Sequence, residues 1–279
     1  MIQDTEKGLN IHQGENMPSI HSNGIKIHYE ERGSGDPLIL IMGLGTPGNR
    51  WEDHVACYEQ HFRCILIDNR GAGGSDKPKG PYTIKMMADD TAGLMYELGI
   101  QKAGVAGISM GSAIAQELAL SYPEKVRSLV LISSWSRCDR YTQTIFEHFK
   151  KMRQLASPAD FTQLLQLWIA SAPYYEKHFV EMIQDMDKAH ENYMPLHAFE
   201  AQCDACIDHN TYDRLEKITI PVLLSVGDAD IFTPLRLTNE MHERMPQSEM
   251  LVFNGRGHIH HWEDLERFNE ATSQYLLVH

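Results

Sequence analysis

Short apolar runs alternate with helical patterns along most of this chain, and that alternation constrains the fold more than any other feature. Residues 37–42, 63–68, 126–132 and 221–226 are such runs, and Gly, Asn, Asp or Ser residues follow each of them. A continuous apolar run is typical of a parallel strand, because helices cover both faces of a parallel sheet. The pattern therefore predicts an α/β fold with a mostly parallel, doubly wound sheet.

Other segments fit the same architecture. Asn23-Gly24 lies between two short strand-like runs and predicts a tight hairpin. The remaining predicted elements are a last strand at 250–253 and helices at 84–98, 235–245 and 263–277.

One long segment interrupts the alternation. Between residues 135 and 213 no strand is predicted, and helical patterns rich in aromatic residues and methionine take over. We therefore divide the chain into a polar N-terminal tail at 1–17, an α/β core formed by 18–134 and 214–279, and an inserted helical cap at 135–213. The cap residues predict a broad apolar pocket above the strand ends, since ligand clefts are mostly apolar.

The sequence Gly107-Ile108-Ser109-Met110-Gly111 lies between an apolar run at 105–108 and a helix-forming run at 112–120. This is the strand, turn and helix context that a Gly-x-Ser-x-Gly nucleophile requires. The two glycines let strand and helix approach closely and allow a strained backbone at Ser109. The pattern alone arises by chance about 0.1 times in a chain of this length at ordinary Gly and Ser usage, so partner residues must support it.

A serine hydroxyl is a weak nucleophile at neutral pH, and it needs a base that an acid orients. Functional groups in α/β sheets gather at the carboxyl ends of strands. Asp228 and Asp230 follow the run at 221–226, and His258 follows the strand at 250–253. Asp230 and His258 are the favoured partners of Ser109. Asp228 is an alternative acid, and His260 and His261 are alternative bases.

These motifs resemble those of the α/β-hydrolase superfamily from residue 19 to the C-terminus, most strongly outside the insertion. The Gly-x-x-Asp turn at 227–230 and the Gly257-His258 turn match the family's acid and base turns. The resemblance implies that Ser109 is the nucleophile, Asp230 the acid and His258 the base, in the family's chain order. The resemblance also implies that residues 68–75 form a structural loop. Within the superfamily, the chain most resembles carboxylesterases and enol-lactonases that act on 3-oxoadipate enol-lactone.

The turn after the strand at 37–42 departs from the family pattern. The family often has His-Gly-x-Gly there, whereas this chain has Met42-Gly43-Leu44-Gly45. The resemblance implies an oxyanion hole made of the backbone N–H groups of Leu44 and Met110, which do not depend on the missing histidine. Because Met42 replaces that histidine, the family pattern does not predict the geometry of this loop, and so it does not predict the substrate.

Charge and hydropathy bear on the partners. The net charge is −13, from 38 acidic and 25 basic residues, which disfavours nucleic acid and anionic membranes as partners. No run approaches the roughly 18 apolar residues that span a bilayer. The N-terminal residues have neither the basic nor the apolar segment of a signal peptide, so we expect a cytoplasmic protein.

Cysteine and histidine spacing predicts neither a metal nor a cofactor. The five cysteines are an odd number and are expected to be reduced. Cys203 and Cys206 have metal or redox spacing but lack a second cysteine pair. His258, His260 and His261 have no carboxylate or cysteine at a recognised ligand spacing.

The sequence thus predicts a cofactor-independent serine hydrolase that cleaves an apolar, small-molecule carboxylic ester or lactone. The same three residues would also serve a C–C bond hydrolase or a perhydrolase. A slow-turnover ligand receptor of the same fold is the alternative from a different class, because the fold alone does not decide function. Homo-oligomer formation is left open.

Overall fold

The computed structural model describes residues 18–187 and 194–279, and the predicted tail at 1–17 lies outside them. The strands are β1 (Ser19–Ser22), β2 (Ile25–Arg32), β3 (Asp36–Ile41), β4 (Phe62–Ile67), β5 (Ala103–Ile108), β6 (Val126–Ile132), β7 (Val222–Gly227) and β8 (Glu249–Phe253). The α-helices are α1 (Glu52–Tyr58), α2 (Ile84–Glu97), α3 (Met110–Ser121), α4 (Arg140–Leu155), α5 (Pro158–Ile169), α6 (Ala172–Lys177), α7 (Phe179–Asp187), α8 (Leu196–Asp208), α9 (Leu235–Arg244), α10 (His260–Glu263) and α11 (Leu265–Val278).

The strands form one sheet in the order β1-β2-β4-β3-β5-β6-β7-β8. The β1–β2 and β2–β4 pairs are antiparallel, and every pair from β4–β3 to β7–β8 is parallel. Asn23 and Gly24 have φ angles of 48° and 75° and close the β1–β2 hairpin. The predicted α/β fold with a mostly parallel, doubly wound sheet is confirmed.

Each buried strand contributes side chains to both faces of the sheet. In β3, Ile39 and Ile41 belong to the core on one face, and Leu38 and Leu40 belong to the core on the other. Alternate residues of a strand point to opposite faces, so a strand covered on both sides must be apolar at every position. This requirement explains the continuous apolar runs.

Two parts of the structure differ from the sequence prediction. The 3-10 turn at Gly48–Trp51 and α1 lie in a stretch for which no helix was predicted. The helix expected at 263–277 is α11 at Leu265–Val278, and a short helix that was not predicted, α10 at His260–Glu263, precedes it with a break at Asp264. Asp264 has φ −141° and ψ 60°, which is outside the helical region, so the chain changes direction there.

Helices α4 to α8 lie between β6 and β7, in the segment predicted as the cap. The segment leaves and re-enters the core at neighbouring points, because Thr211 N–H donates to the Ser136 carbonyl at 2.8 Å and Arg137 pairs with Asn210 in an isolated bridge. Among the described residues, no helix combines the length and the apolar character needed to cross a membrane.

Candidate active site

Ser109 lies on the turn that joins β5 to α3. Its backbone has φ 53° and ψ −115°, in a region that residues with a side chain rarely adopt. A Cβ at Gly107 would overlap the Gly111 carbonyl, and a Cβ at Gly111 would overlap the Ile41 carbonyl. Only glycine lets the strand and the helix come this close, so the sequence holds Ser109 in the strained conformation that the motif predicts.

Asp230 and His258 form a buried pair. His258 Nδ1 lies 2.8 Å from Asp230 Oδ2, and the two residues are 4% and 3% exposed. Asp230 Oδ1 accepts the backbone N–H groups of Phe232 and Thr233 at 2.8 and 2.9 Å. Because the carboxylate can only accept, the proton between the pair is assigned to His258 Nδ1, which leaves Nε2 able to take up another proton.

The Thr233 hydroxyl, which was not among the predicted site residues, contacts both members of this pair. Thr233 Oγ1 lies 2.8 Å from Asp230 Oδ2, 3.0 Å from His258 Nδ1 and 3.1 Å from the Ser133 carbonyl oxygen. A hydroxyl three residues after an aspartate, just before Pro234, is a readable signal for such a contact.

The end of β6 links the serine turn to the histidine turn. Ser109 N–H donates to the Ile132 carbonyl at 2.8 Å, and the next residue, Ser133, donates its hydroxyl to the His258 carbonyl at 2.6 Å. Among the described residues, no hydrogen bond joins Ser109 Oγ to His258 Nε2. Catalytic hydrogen bonds of this kind are often long until a substrate is in place.

Of the residues predicted for an oxyanion hole, Met110 follows Ser109 in the chain and Leu44 follows Gly43, which packs against Ser109. Met110 is the first residue of α3, where backbone N–H groups lack helical acceptors. Gly43, next to Leu44, packs against the serine, since a Cβ on it would lie 3.4 Å from Ser109 Cβ. Two N–H groups flanking a serine can together stabilise negative charge on a carbonyl oxygen that the serine attacks.

The alternative acid and bases have other partners. Asp228 is exposed, and its Oδ1 accepts the Gly255 N–H at 2.5 Å. His260 Nε2 lies 2.8 Å from Ser225 Oγ, and His261 Nδ1 lies 3.0 Å from His54 Nε2. Burial lowers the pKa of His260 to about 3 and holds the pKa of His261 well below its usual range. Within residues 18–187 and 194–279, neither buried ring has a carboxylate partner like that of His258.

The loop at 68–75 is held in place by buried polar contacts, most of them to residues outside the loop. The Asp68 carboxylate accepts from His28 Nδ1 and Gly74 N–H, both at 2.7 Å, and from Gly48 N–H at 2.5 Å. Arg70 forms a buried two-point ion pair with Asp90 at 2.6 and 2.7 Å. The carboxylate and the guanidinium are thus both occupied, which is the structural role that the sequence predicted for this loop.

Met42 occupies the position where the family often has a histidine. It is 1% exposed and belongs to the same core cluster as Trp51 and Phe268. Its carbonyl accepts from Asn69 Nδ2 at 3.0 Å, which fixes the start of the turn that follows β3. The methionine therefore acts as a core residue.

A line of aromatic rings runs from His258 to the turn after β3. Phe232 packs against the His258 ring with centroids 4.8 Å apart and the ring planes tilted by 42°, and the line continues through Phe149, Phe161 and Phe199 at centroid spacings of 5.3, 6.4 and 5.3 Å. Phe199 packs on Gly45, where a Cβ would lie 3.6 Å from its ring. We call these four phenylalanines the aromatic wall. Three of them, Phe149, Phe161 and Phe199, come from the segment at 135–213, so that segment supplies the rings that continue the line from Phe232.

The cysteines are free thiols in this structure. Burial raises the pKa of both Cys203 and Cys206 well above the usual range. No group of three or more His, Cys, Asp or Glu residues in the described part of the chain is arranged to hold a metal ion.

The sequence matches the alpha/beta hydrolase fold family over residues 36–265. The chain belongs to this family. Family membership and the sheet topology together identify a hydrolase, as the sequence resemblance implied.

Several proteins are similar over almost the whole chain. A protein of Azorhizobium caulinodans named as a carbamate hydrolase, RutD, is 26% identical over 91% of this chain and 96% of its own length. The Mycobacterium tuberculosis protein named as the non-heme bromoperoxidase BpoC is 30% identical over 90% of this chain and 98% of its own length.

Solved structures show the same likeness. The enol-lactonase of Burkholderia xenovorans superposes with a TM-score of 0.86 at 23% identity, covering 93% of this chain and all of that one, which shows a shared fold. Est816, described as an N-acyl homoserine lactone degrading enzyme, has a TM-score of 0.81 at 28% identity, covering 92% of this chain and 100% of its own.

Proposed function

We propose that this protein is a cofactor-independent serine hydrolase that cleaves carboxylic esters or lactones through an acyl-enzyme. The observation that carries the proposal is the buried Asp230–His258 pair at 2.8 Å, joined through the end of β6 to the strained turn that presents Ser109. A hydroxyl, a carboxylate and an imidazole in this chain order recur in serine hydrolases of this fold.

The reaction follows from these positions. Ser109 Oγ attacks the carbonyl carbon while its proton passes to His258 Nε2, and Asp230 stabilises the imidazolium that forms. The carbonyl oxygen becomes an oxyanion that accepts the N–H groups of Leu44 and Met110, each donor being worth about 2.7–4 kcal/mol of barrier. The imidazolium protonates the departing alkoxide, and water activated by His258 then releases the acid.

The aromatic wall supports an apolar acyl or alcohol group in the substrate. Its rings are buried, at 1 to 4% exposure, and they reach from the proposed base to the proposed oxyanion turn. Est816 and the Burkholderia enzyme are named for lactones, which contain the same ester carbonyl. We therefore propose that esters and lactones with apolar chains are the substrate class.

The names of two relatives favour two other reactions that would use the same nucleophile, carbamate hydrolysis and perhydrolysis. A carbamate carbonyl, as in the name of the Azorhizobium protein, would be attacked by Ser109 in the same way. Perhydrolysis, in line with the bromoperoxidase name, would replace water by hydrogen peroxide in the second step and give a peracid.

A substrate panel tests these proposals with wild type and Ser109→Ala. The panel contains p-nitrophenyl acetate, butyrate and octanoate, an alkyl lactone, an aryl carbamate, and an ester supplied with hydrogen peroxide. We expect steady multiple turnover of esters or lactones by wild type and a loss of roughly 10³-fold or more in Ser109→Ala.

Other outcomes would change the assignment. Ester turnover that survives in Ser109→Ala would overturn Ser109 as nucleophile. A single burst without steady turnover would indicate the receptor alternative. If butyrate and octanoate esters are turned over far more slowly than acetate, the apolar-pocket proposal is wrong. Preference for the carbamate or for peroxide would select one of the second candidates.

A further inference from the structure

We infer that Gln202, a cap residue remote in sequence from every predicted site residue, positions the oxyanion turn. The inference rests on the proposed hydrolase function and on Leu44 as an oxyanion donor. Gln202 lies on α8 and is fully buried. Its side-chain amide bridges two loops of the α/β core, and one of those loops carries Leu44.

The oxygen of the Gln202 amide accepts a hydrogen bond from the turn that follows β3. Gly45 N–H donates to Gln202 Oε1 at 2.8 Å. Thr46 N–H donates to the Gly43 carbonyl at 3.3 Å, and Gly45 has φ +70° while Leu44 is not among the residues with positive φ. This is the pattern of a type II turn with Leu44 and Gly45 at its centre.

The NH2 group of the Gln202 amide donates a hydrogen bond to the loop at 68–75. Gln202 Nε2 donates to the Arg70 carbonyl at 2.8 Å. The Arg70 side chain is locked by its buried two-point ion pair with Asp90. Because one end of the amide is anchored in this way, the other end restrains where the central peptide of the turn can lie.

The restraint matters because of what the turn touches. Gly43 packs against Ser109, and Leu44 joins that glycine to the peptide that Gln202 holds. Without the amide, the partly buried Gly45 N–H loses its acceptor and the Leu44–Gly45 peptide is free to rotate or shift. Leu44 N–H then moves relative to Ser109, and misplacement by about 1 Å can reduce a rate by roughly 10²-fold.

Gln202→Met tests this role, because methionine has a similar length and removes both hydrogen bonds. The matched control is Gln166→Met. Gln166 is another buried cap glutamine, at 6% exposure, and its amide donates to the Met182 carbonyl within the cap at 3.0 Å. For Gln202→Met we expect kcat to fall about tenfold or more while KM changes less than about threefold, and for Gln166→Met we expect both constants to stay within about twofold.

A pair of ketones separates positioning from loosening of the cap. An alkyl trifluoromethyl ketone binds by addition: a bond forms between Ser109 Oγ and the carbonyl carbon, the C=O π bond breaks, the serine proton passes to His258, and the oxygen becomes an oxyanion. The methyl ketone of the same chain length fills the pocket without stable addition. In Gln202→Met, the inhibition constant of the trifluoromethyl ketone should rise about tenfold or more, and that of the methyl ketone less than about threefold.

The possible outcomes are distinct. If wild type neither hydrolyses esters nor binds the trifluoromethyl ketone more tightly than the methyl ketone, the proposed function itself fails. If wild type does both and Gln202→Met weakens the two ketones equally or leaves kcat unchanged, the positioning role is wrong while the function stands. Should Gln202→Met fail to fold, Gln202→Asn takes its place, because its shorter amide cannot keep both hydrogen bonds from the same helix position.

Discussion

The Asp230 carboxylate has four donors within reach, and this arrangement determines how His258 is held. Two backbone N–H groups, those of Phe232 and Thr233, bind Oδ1. The Thr233 hydroxyl and His258 Nδ1 approach Oδ2 at 2.8 Å each. A carboxylate saturated with donors has one orientation, so the histidine ring that pairs with it is oriented as well.

Thr233→Val tests the contribution of the hydroxyl. The substitution keeps the shape and both backbone N–H groups but removes one donor from Asp230 Oδ2. We expect kcat to fall roughly tenfold, since a hydrogen bond to a charged group contributes about 1.5–3 kcal/mol, part of which the remaining donors recover. KM should change little. Steady-state kinetics on the preferred ester measures both constants.

Thr238→Val is the matched control. Thr238 is also buried, at 1% exposure, and its hydroxyl has no hydrogen-bond partner in the described structure. Replacing an unpaired buried hydroxyl by a methyl group is neutral or stabilising, so activity should be unchanged and Tm equal or higher. Equal losses of kcat in the two variants would show that the Thr233 hydroxyl has no special role.

At the level of elements, Glu263 fastens the cap to the histidine turn. Its Oε1 accepts Ser171 N–H at 2.7 Å and Gly257 N–H at 3.2 Å, and its Oε2 accepts the Ser171 hydroxyl at 2.6 Å. Ser171 caps the N-terminus of α6 in the cap, and Gly257 precedes His258. The carboxylate therefore holds the cap and the proposed base in one fixed relation.

Glu263→Leu is expected to lower both stability and activity. It leaves three buried donors without an acceptor, and each unpaired donor costs about 1–3 kcal/mol. We expect a clear fall in Tm and a fall in kcat/KM, because the His258 turn is no longer fixed. Thermal unfolding and ester hydrolysis measure the two effects.

Glu270→Leu on the exposed side of α11 is the control, with stability expected within about 0.5 kcal/mol of wild type. A Glu263→Leu variant as stable and active as this control would contradict the role.

The strands and the site positions could be predicted because their signals are local. The apolar run of β6 is visible at 126–132, and the structure has the strand at Val126–Ile132. Ser109 directly follows an apolar run, Asp230 and His258 stand in the turns just after such runs, and parallel topology brings these strand ends to one edge of the sheet. The structure accordingly places Asp230 beside His258.

The contacts that reach across the chain could not be predicted. Gln202 bonds to Gly45, 157 positions away, and Glu263 bonds to Ser171, 92 positions away. Nothing in the local sequence distinguishes these residues from other polar residues on a helix. The cap phenylalanines raise the same difficulty, because helical periodicity shows that a face is buried but not which surface covers it.

For the whole molecule, buried histidines make stability depend on pH. Burial lowers the pKa of His54 and His209 to about 4 and that of His260 to about 3, and it holds the pKa of His261 well below its usual range. In the unfolded chain these groups titrate near pH 6.5. Below that pH the unfolded chain binds protons that the folded chain excludes, so stability falls as the pH drops from 6.5 toward 4.

Each buried histidine should contribute about 1.4 kcal/mol per pH unit in that window and nothing above it. Urea unfolding at pH 7.5, 6.0 and 5.0 measures the slope. His209→Gln removes one such group, so its free energy of unfolding should depend less steeply on pH than that of wild type. Equal slopes for the two proteins would contradict this account, whatever their difference in stability at pH 7.5.

The central claim is that Ser109 becomes acylated, and mass spectrometry tests it most directly. Wild type and His258→Ala are quenched in acid within the first turnovers of a p-nitrophenyl ester, digested, and searched for the acyl group. We expect one acyl group per chain, located on Ser109, in wild type, and much slower acylation in His258→Ala because the base is missing. An acyl group on another residue, or continued turnover with no acylated Ser109 when the quench is fast enough to trap it, would contradict the account.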